Sequence, residues 1–257
     1  MDKVSIILSS LKNQCVTDEA LLSKFEEFAS YMAEENEKIN ITSITDPVGI
    51  ALKHFCDSLS LLRLPLFEKE NLSVADIGCG GGFPGLVLGL ARPDLRLVMV
   101  DSTEKKIKYV QRTAEKFGIS NVQAISARAE ELVRDEDMRE KFDVVTSRAV
   151  ARLAPLTELC MPYVRVGGYF VPMKAAETDE EVKEAKRAIT ILGGKIEDVV
   201  SVEFDFDIKD TACFSAEEIE KIKEFTSSKR SLIVVKKVKK TPDTYPRAWA
   251  KIIKKPL

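Results

Sequence analysis

The stretch Leu72-Ser-Val-Ala-Asp-Ile-Gly-Cys-Gly-Gly-Gly-Phe-Pro-Gly85 decides the fold. Its apolar run, Leu72 to Ile77, reads as a buried strand that carries Asp76 at its carboxyl end. The chain then breaks into glycines, and a helical pattern starts near Pro84. Glycines let a backbone turn sharply and approach a ligand closely. The helix that follows directs free N–H groups at whatever occupies the turn. This is a cofactor-binding βα turn.

Two cofactor classes compete for it. Gly80, Gly82 and Gly85 satisfy G-x-G-x-x-G, and Asp101 lies roughly 20 residues further on, where a ribose-binding acid belongs. That pattern suits an NAD(P)-dependent oxidoreductase. Asp76 points the other way, because a carboxylate just before the glycines repels a pyrophosphate and attracts the ammonium group of S-adenosylmethionine. The stretch therefore favours a methyltransferase. A non-catalytic RNA-binding module is the alternative outside enzymes.

Outward from this turn, strand and helix patterns alternate as in a parallel sheet. Strands are expected at Arg96–Asp101, Val122–Ser126, Phe142–Ala149 and Gly167–Lys174, the last preceded by the glycine pair that turns a helix back into a sheet. Helices are expected at Thr103–Phe117, Leu153–Met161 and Thr178–Leu192. Lys195–Phe206 and Leu232–Val238 read as a closing antiparallel pair, with a surface helix over Ser215–Phe225 between them. Before the sheet, Leu21, Leu22, Phe25, Phe28, Ala29 and Met32 recur at helical spacing. Asp46-Pro47 starts another helix, running through Phe55 to Leu62. The expected organisation is a helical cap over 1–68, a methyltransferase domain over 69–240 and a basic tail over 241–257.

Composition narrows the setting. The 257 residues are 45% hydrophobic and 31% charged, ordinary for a soluble globular protein, and the net charge of −2 argues against a uniformly basic coat. Cys15, Cys56, Cys79, Cys160 and Cys213 are odd in number, scattered and without C-x-x-C spacing. Free thiols in a cytoplasmic protein are expected, with no disulfide frame and no metal site. No apolar run approaches the ~20 residues that cross a bilayer. A monomer is expected.

In an open α/β sheet, ligands bind beyond the carboxyl ends of the strands. The first strand delivers Asp76, Gly78, Gly80 and Phe83 there, and the second Asp101, Ser102 and Thr103. The third delivers Arg128, Ala129 and Glu130, the fourth Ser147 and Arg148, and the fifth Lys174. Asp101 is suited to accept both ribose hydroxyls. Ala129 and Glu130 are placed to flank an adenine, although Glu is also welcome in any first helical turn. Arg128, Arg148 and Lys174, the expected catalytic residues, surround a site meant for a cationic sulfonium, which points to an anionic substrate, most economically nucleic-acid phosphate. From Lys229 to Lys255 ten basic residues face a single acid, Asp243, with Tyr245 and Trp249 interleaved; a solvated basic face is the bland reading of that run. His54, the only histidine, shares a helix face with Asp57 and Ser58. Three residues so close on one helix cannot form a Ser-His-Asp hydrolytic triad. A structural His–Asp pair and a substrate-contacting face are both open.

Five motifs occur in order: Asn36-Glu-Lys-Ile-Asn-Ile-Thr-Ser-Ile-Thr-Asp-Pro47, Lys53-His-Phe-Cys-Asp-Ser-Leu59, Asp76-Ile-Gly-Cys-Gly-Gly-Gly-Phe-Pro-Gly85, Ser126-Ala-Arg-Ala-Glu130 and Thr146-Ser-Arg-Ala149. The set resembles the bacterial RsmG (GidB) family, guanine-N7 methyltransferases of small-subunit (16S) ribosomal RNA. The resemblance runs from about residue 36 to 175. It implies a class I S-adenosylmethionine-dependent methyltransferase fold, Rossmann-like, with a mostly parallel seven-stranded sheet, an antiparallel last strand and an N-terminal helical extension. It implies cofactor contacts at Gly78, Phe83, Asp101 to Thr103, Ala129, Glu130 and Arg148. It places Asn40, His54, Asp57, Ser58, Arg128 and Lys174 near the RNA or its target base, with ribosomal RNA or the small subunit as partner. Family tails often run through a Gly-x-Pro loop, whereas here Ala248-Trp-Ala-Lys-Ile-Ile253 intervenes, and the helix at 215–225 reads as an enlargement.

Overall fold

In a computed structural model of the chain, residues 2–12, 16–175, 178–209 and 211–257 are described; Cys15 lies outside them. Four helices come first: α1 (Lys3–Ser10), α2 (Glu19–Ile39), α3 (Pro47–Ile50) and, after one wide turn at Ala51–Cys56, α4 (Asp57–Leu59). Asp2, Asp18 and Asp46 cap α1, α2 and α3 by accepting backbone N–H groups with their side chains. Ala51–Cys56 is a π-helical turn. Such insertions re-aim the side chains that follow them, and here they carry His54.

The sheet is built from β1 (Ser73–Ile77), β2 (Arg96–Asp101), β3 (Val122–Ser126), β4 (Phe142–Arg148), β5 (Val164–Ala175), β6 (Gly194–Val202) and β7 (Arg230–Lys237). Between them lie α5 (Gly85–Ala91), α6 (Glu104–Lys116), α7 (Ala129–Leu132), α8 (Leu153–Cys160), α9 (Asp179–Ile191) and α10 (Ala216–Ser227), and α11 (Trp249–Lys254) closes the chain. The strand order is β3-β2-β1-β4-β5-β7-β6. β7 is antiparallel to both of its neighbours, and the other pairings are parallel. The order reverses between β1 and β4, so the crevice of a doubly wound sheet opens there.

Each face of the sheet has its own apolar layer. One layer joins α1, α2 and α5 to the sheet through Phe25, Phe28, Phe55 and Leu86, and the other joins α8 and α9 to β4, β5 and β7. The cap is therefore continuous with the sheet's core. Phe28 touches three rings at once, with centroids 5.4 Å from Phe55, 5.3 Å from Phe117 and 6.1 Å from Phe83.

Two strands differ from the sequence expectation. The glycine pair at 167–168 does not precede the fifth strand but lies inside it, since β5 already begins at Val164. There the register against β4 jumps, from Phe142 opposite Val164 to Val144 opposite Tyr169. Gly167 takes φ +86°, and a Cβ on Gly168 would stand 2.7 Å from the Asp143 carbonyl oxygen. The glycines serve a bulge. β6 ends at Val202, short of Phe206, which pairs instead with Leu11 in an isolated bridge.

The basic run over 229–255 is also partly internal rather than a solvated tail. Lys237 is fully buried, donating to the carbonyls of Met161 and Val164 and to Thr241 Oγ1, with Glu140 3.1 Å away. Burial pushes its ammonium down to about 8. Arg247 donates from its backbone and its guanidinium to the fully buried Glu158 of α8.

Phe28→Ala removes the ring that supports Phe55, Phe117 and Phe83 together. It is expected to cost about 3–5 kcal/mol of stability in denaturant unfolding. A loss under about 1 kcal/mol would show that the cap does not depend on this contact.

Candidate functional site

The turn after β1 uses most of its own N–H groups. Gly78 and Cys79 donate to the Val100 carbonyl at 2.7 and 3.1 Å, and Gly82 and Phe83 to that of Cys79 at 2.8 and 3.1 Å. Gly80 donates to Asp101 Oδ2 and Gly85 to Asp76 Oδ2, both at 2.9 Å. Few donors remain for a phosphate. Gly78 takes φ +74°, and a Cβ there would collide with Val150 Cγ2, so only glycine fits.

Beyond the strand ends lies a cavity of about 400 Å³, within the range of small-ligand sites. Asp101 sits in its wall, its Oδ1 accepting the Thr103 N–H at 2.8 Å and its Oδ2 the Gly80 N–H. Each oxygen keeps a lone pair, so a vicinal diol can donate to both.

Arg148, at the end of β4, is the hub of the opposite side. Its Nη1 donates to the Lys53 carbonyl and to Asp57 Oδ2, both at 2.8 Å. Its Nη2 reaches His54 Nδ1 at 3.2 Å, and its guanidinium carbon stands 5.5 Å from the Phe83 ring centroid. His54 Nε2 lies 3.0 Å from Thr42 Oγ1, and its ring stacks on Phe83 at 4.4 Å and 8°. A guanidinium has no acceptor, so Nδ1 must accept and Nε2 carries the proton. Burial, followed by the charges of Arg148 and Lys53, pushes the imidazole down to about 3. His54 is thus a neutral connector between the helical cap and the sheet.

Arg148 also borders a second cavity of about 290 Å³, lined by Asp57, Ser60, Lys174 and Arg230 among others. Lys174 Nζ donates to the Ala151 carbonyl at 2.7 Å and pairs with Glu181 at 2.8 Å. Asp57 divides its carboxylate, one oxygen to Arg148 and the other to Arg230 at 3.3 Å.

The fold therefore brings Gly78, Gly80, Phe83, Asp101, Ser102, Arg128, Ala129, Glu130, Arg148 and His54 to one cavity, and Asp57 and Lys174 to its neighbour. Five expected residues stand elsewhere. Ser147 is fully buried and donates to the Ile77 carbonyl at 2.6 Å. Ser58 is fully buried and donates to the His54 carbonyl. Thr103 contributes its backbone to Asp101 from outside the lining. Asn40 is exposed and left-handed, φ 48°, as the C-terminal cap of α2, while the cavity is lined by Ile41 and Thr42 just after it. Asp76 is fully buried behind the turn and does not line the cavity. Its Oδ1 has no partner, and burial raises its carboxyl to about 7. Its role is to brace the turn through Gly85, not to present a carboxylate to the ligand. Ile41, Thr42, Lys106, Trp249 and Arg230 also line these cavities. Of these, Ile41 and Thr42 lie inside the Asn36–Pro47 motif and Arg230 and Trp249 inside the basic run, whereas Lys106 carried no sequence signal.

The family profile for GidB, rRNA small subunit methyltransferase G, matches residues 21–206. The chain belongs to that family. A ribosomal RNA small subunit methyltransferase G from Clostridium novyi is 43% identical over 238 residues, covering 91% of this chain and 89% of the relative. One from Acetivibrio thermocellus is 40% identical over 240 residues, covering 93% and 90%. Among solved structures, a chain of the complex containing the Haloferax volcanii Trm112 methyltransferase activator superposes with TM-score 0.53 at 16% identity, covering 82% of this chain and 97% of that one. Geranyl diphosphate methyltransferase with GPP and sinefungin superposes with TM-score 0.52 at 13% identity, covering 84% and 100%. These two likenesses establish the class I methyltransferase fold and nothing finer. No described helix is long and apolar enough to cross a membrane.

Asp76 makes stability depend on pH with a definite sign. Its folded value lies above the ordinary 3.8, so the native protein holds a proton that the unfolded chain releases. Its contribution is fully present below about 4 and is lost as pH rises toward about 7. Comparing unfolding of the wild type with Asp76→Asn should show the wild type losing ground to the variant across that window. A constant difference from pH 4 to 7 would mean that Asp76 is ionised in the native state.

Proposed function

We propose that this protein transfers a methyl group from S-adenosylmethionine to N7 of a guanine in small-subunit (16S) ribosomal RNA. The observation that carries the reading is Asp101, fixed by the Gly80 and Thr103 N–H groups in the wall of a cavity whose glycine turn keeps its donors for itself. A dinucleotide needs those donors for its pyrophosphate; a nucleoside sulfonium does not. When bound, S-adenosylmethionine supplies an electrophilic methyl group.

The chain's own residues then have three tasks. Asp101 holds the ribose, and Ala129 and Glu130 flank the base beside it. Gly78 and Gly80 let the backbone approach the rest of the cofactor. The target guanine enters from the side of Arg148, where Lys174 and Arg230 provide positive charge for RNA phosphates. Guanine N7 has an in-plane lone pair available at neutral pH, so no general base is required. The site agrees with that economy: both nitrogens of its one imidazole are engaged, and its basicity is suppressed. Catalysis then rests on alignment, which can supply roughly 7–11 kcal/mol.

Arg148 is a positioning residue on this reading, since its bonds go to Lys53, Asp57 and His54. The direct test is tritium transfer from labelled S-adenosylmethionine to 16S ribosomal RNA or small subunits, followed by base analysis; label in 7-methylguanine is expected. NADH binding with no binding of S-adenosylhomocysteine would replace the reading with an oxidoreductase. Arg148→Ala is expected to lower turnover on the order of 100-fold, the scale of a displaced reacting group, while S-adenosylhomocysteine affinity by calorimetry changes far less. Unchanged turnover would remove Arg148 from the site's machinery.

A further inference from the structure

The C-terminal segment reaches the cofactor cavity. Trp249, the first residue of α11, lines it together with Leu159 of α8 and the Arg128–Glu130 segment. Trp249 is also packed against the apolar layer that holds Val100 and Leu159. The cavity walls around it include Val100, Ala129, Leu159 and Trp249. Apolar walls and an indole suit the faces of a purine, and the buried Glu130 is an acceptor for an exocyclic amine.

The indole is also held in place. Two residues before it, Arg247 donates three hydrogen bonds to Glu158, which immediately precedes Leu159. Three residues after it, Ile252 is completely buried. Arg139 Nη1 bonds the Tyr245 carbonyl at 3.0 Å, and Arg134 Nη2 the Pro246 carbonyl at 3.4 Å. Glu158 has no exposed surface, so Arg247 is its required counter-ion, and the pair locks α11 to α8. One helix thus supplies Leu159 to the wall directly and fixes Trp249 through the residue beside it.

We infer that Trp249 is a cofactor-binding residue that forms the adenine side of the S-adenosylmethionine pocket, making the C-terminal helix part of the catalytic domain's binding surface. The inference rests on the cofactor reading above. Trp249 is the only tryptophan in the chain, so its emission reports on this wall alone.

The test titrates S-adenosylhomocysteine, adenosine and methionine into the intact protein while following tryptophan emission, with calorimetry in parallel. S-adenosylhomocysteine and adenosine should change the emission with the same midpoint that calorimetry gives, and methionine should leave it unchanged. Trp249→Ala should weaken S-adenosylhomocysteine binding about 5- to 150-fold, the range of a lost aromatic–base stack, whereas Trp249→Phe should stay within about 5-fold. Calorimetric binding to the unaltered protein with no change in emission, or equal affinity in Trp249→Ala, would overturn the assignment while leaving the cofactor intact. Absence of any S-adenosylhomocysteine binding would overturn both. The emission titration needs no variant, so a misfolded Trp249→Ala does not block the decision.

Discussion

Everything in the site follows from how the turn after β1 uses its backbone donors. A helix N-terminus preceded by glycines ordinarily leaves N–H groups open to an anion. Here the Val100 and Cys79 carbonyls, Asp101 and Asp76 take them instead. The consequence reaches beyond geometry. The turn presents no nest for phosphate, and the carboxylate beside it in the cavity wall, Asp101, is held by two N–H groups with lone pairs to spare. Charge repulsion by Asp76 is what the sequence suggests, but Asp76 lies buried behind the turn. The mechanism is instead a shortage of donors, with Asp76 acting as one of the acceptors that cause the shortage.

The second constraint is the connection between cap and sheet. A π-helical turn brings His54 round to Phe83 and Thr42, and Arg148 crosses from β4 to bind the cap at Lys53, His54 and Asp57. Phe83 is stacked on His54 from one direction and supported by Phe28 and Phe55 from the other. The cap therefore shapes the cavity through a chain of rigid contacts. Burial keeps His54 uncharged, which spares the site an extra cation beside Arg148. With Asp57 between them, Arg148 and Arg230 share one buried carboxylate, so the neighbouring cavity retains positive charge for a polyanion.

Much of this was legible in the sequence, and the rest was hidden for identifiable reasons. Strand ends were readable because apolar runs stop at polar residues, so β2, β3, Asp101, Ala129, Glu130 and Arg148 fell where expected. The glycines at 167–168 read as a helix-to-strand turn because a bulge places the same demand on φ. Ser58 and Asn40 lay in the right motifs, but a hydroxyl that bonds back to its own helix and a left-handed cap carry no distinctive pattern. Thr42 and Ile41, beside Asn40, carry no mark of facing the cavity for the same reason: sequence shows proximity to a motif, not which side chain faces inward.

The C-terminal run shows most clearly where charge counting stops working. Ten basic residues against one acid looks like a solvated or RNA-facing tail, and nothing local distinguishes Lys237 and Arg247 from the others. Their partners are remote: Glu140 lies 97 positions from Lys237, and Glu158 lies 89 from Arg247. Taking such cations out of water is tolerable only because carbonyls or a carboxylate receive them. Once they are received, the segment between them has little freedom, and Trp249 is delivered to the cavity as a consequence of ion pairing elsewhere. A basic sequence has thus been used to fasten a helix, and the fastening, more than the charge itself, connects the end of the chain to its first glycine turn.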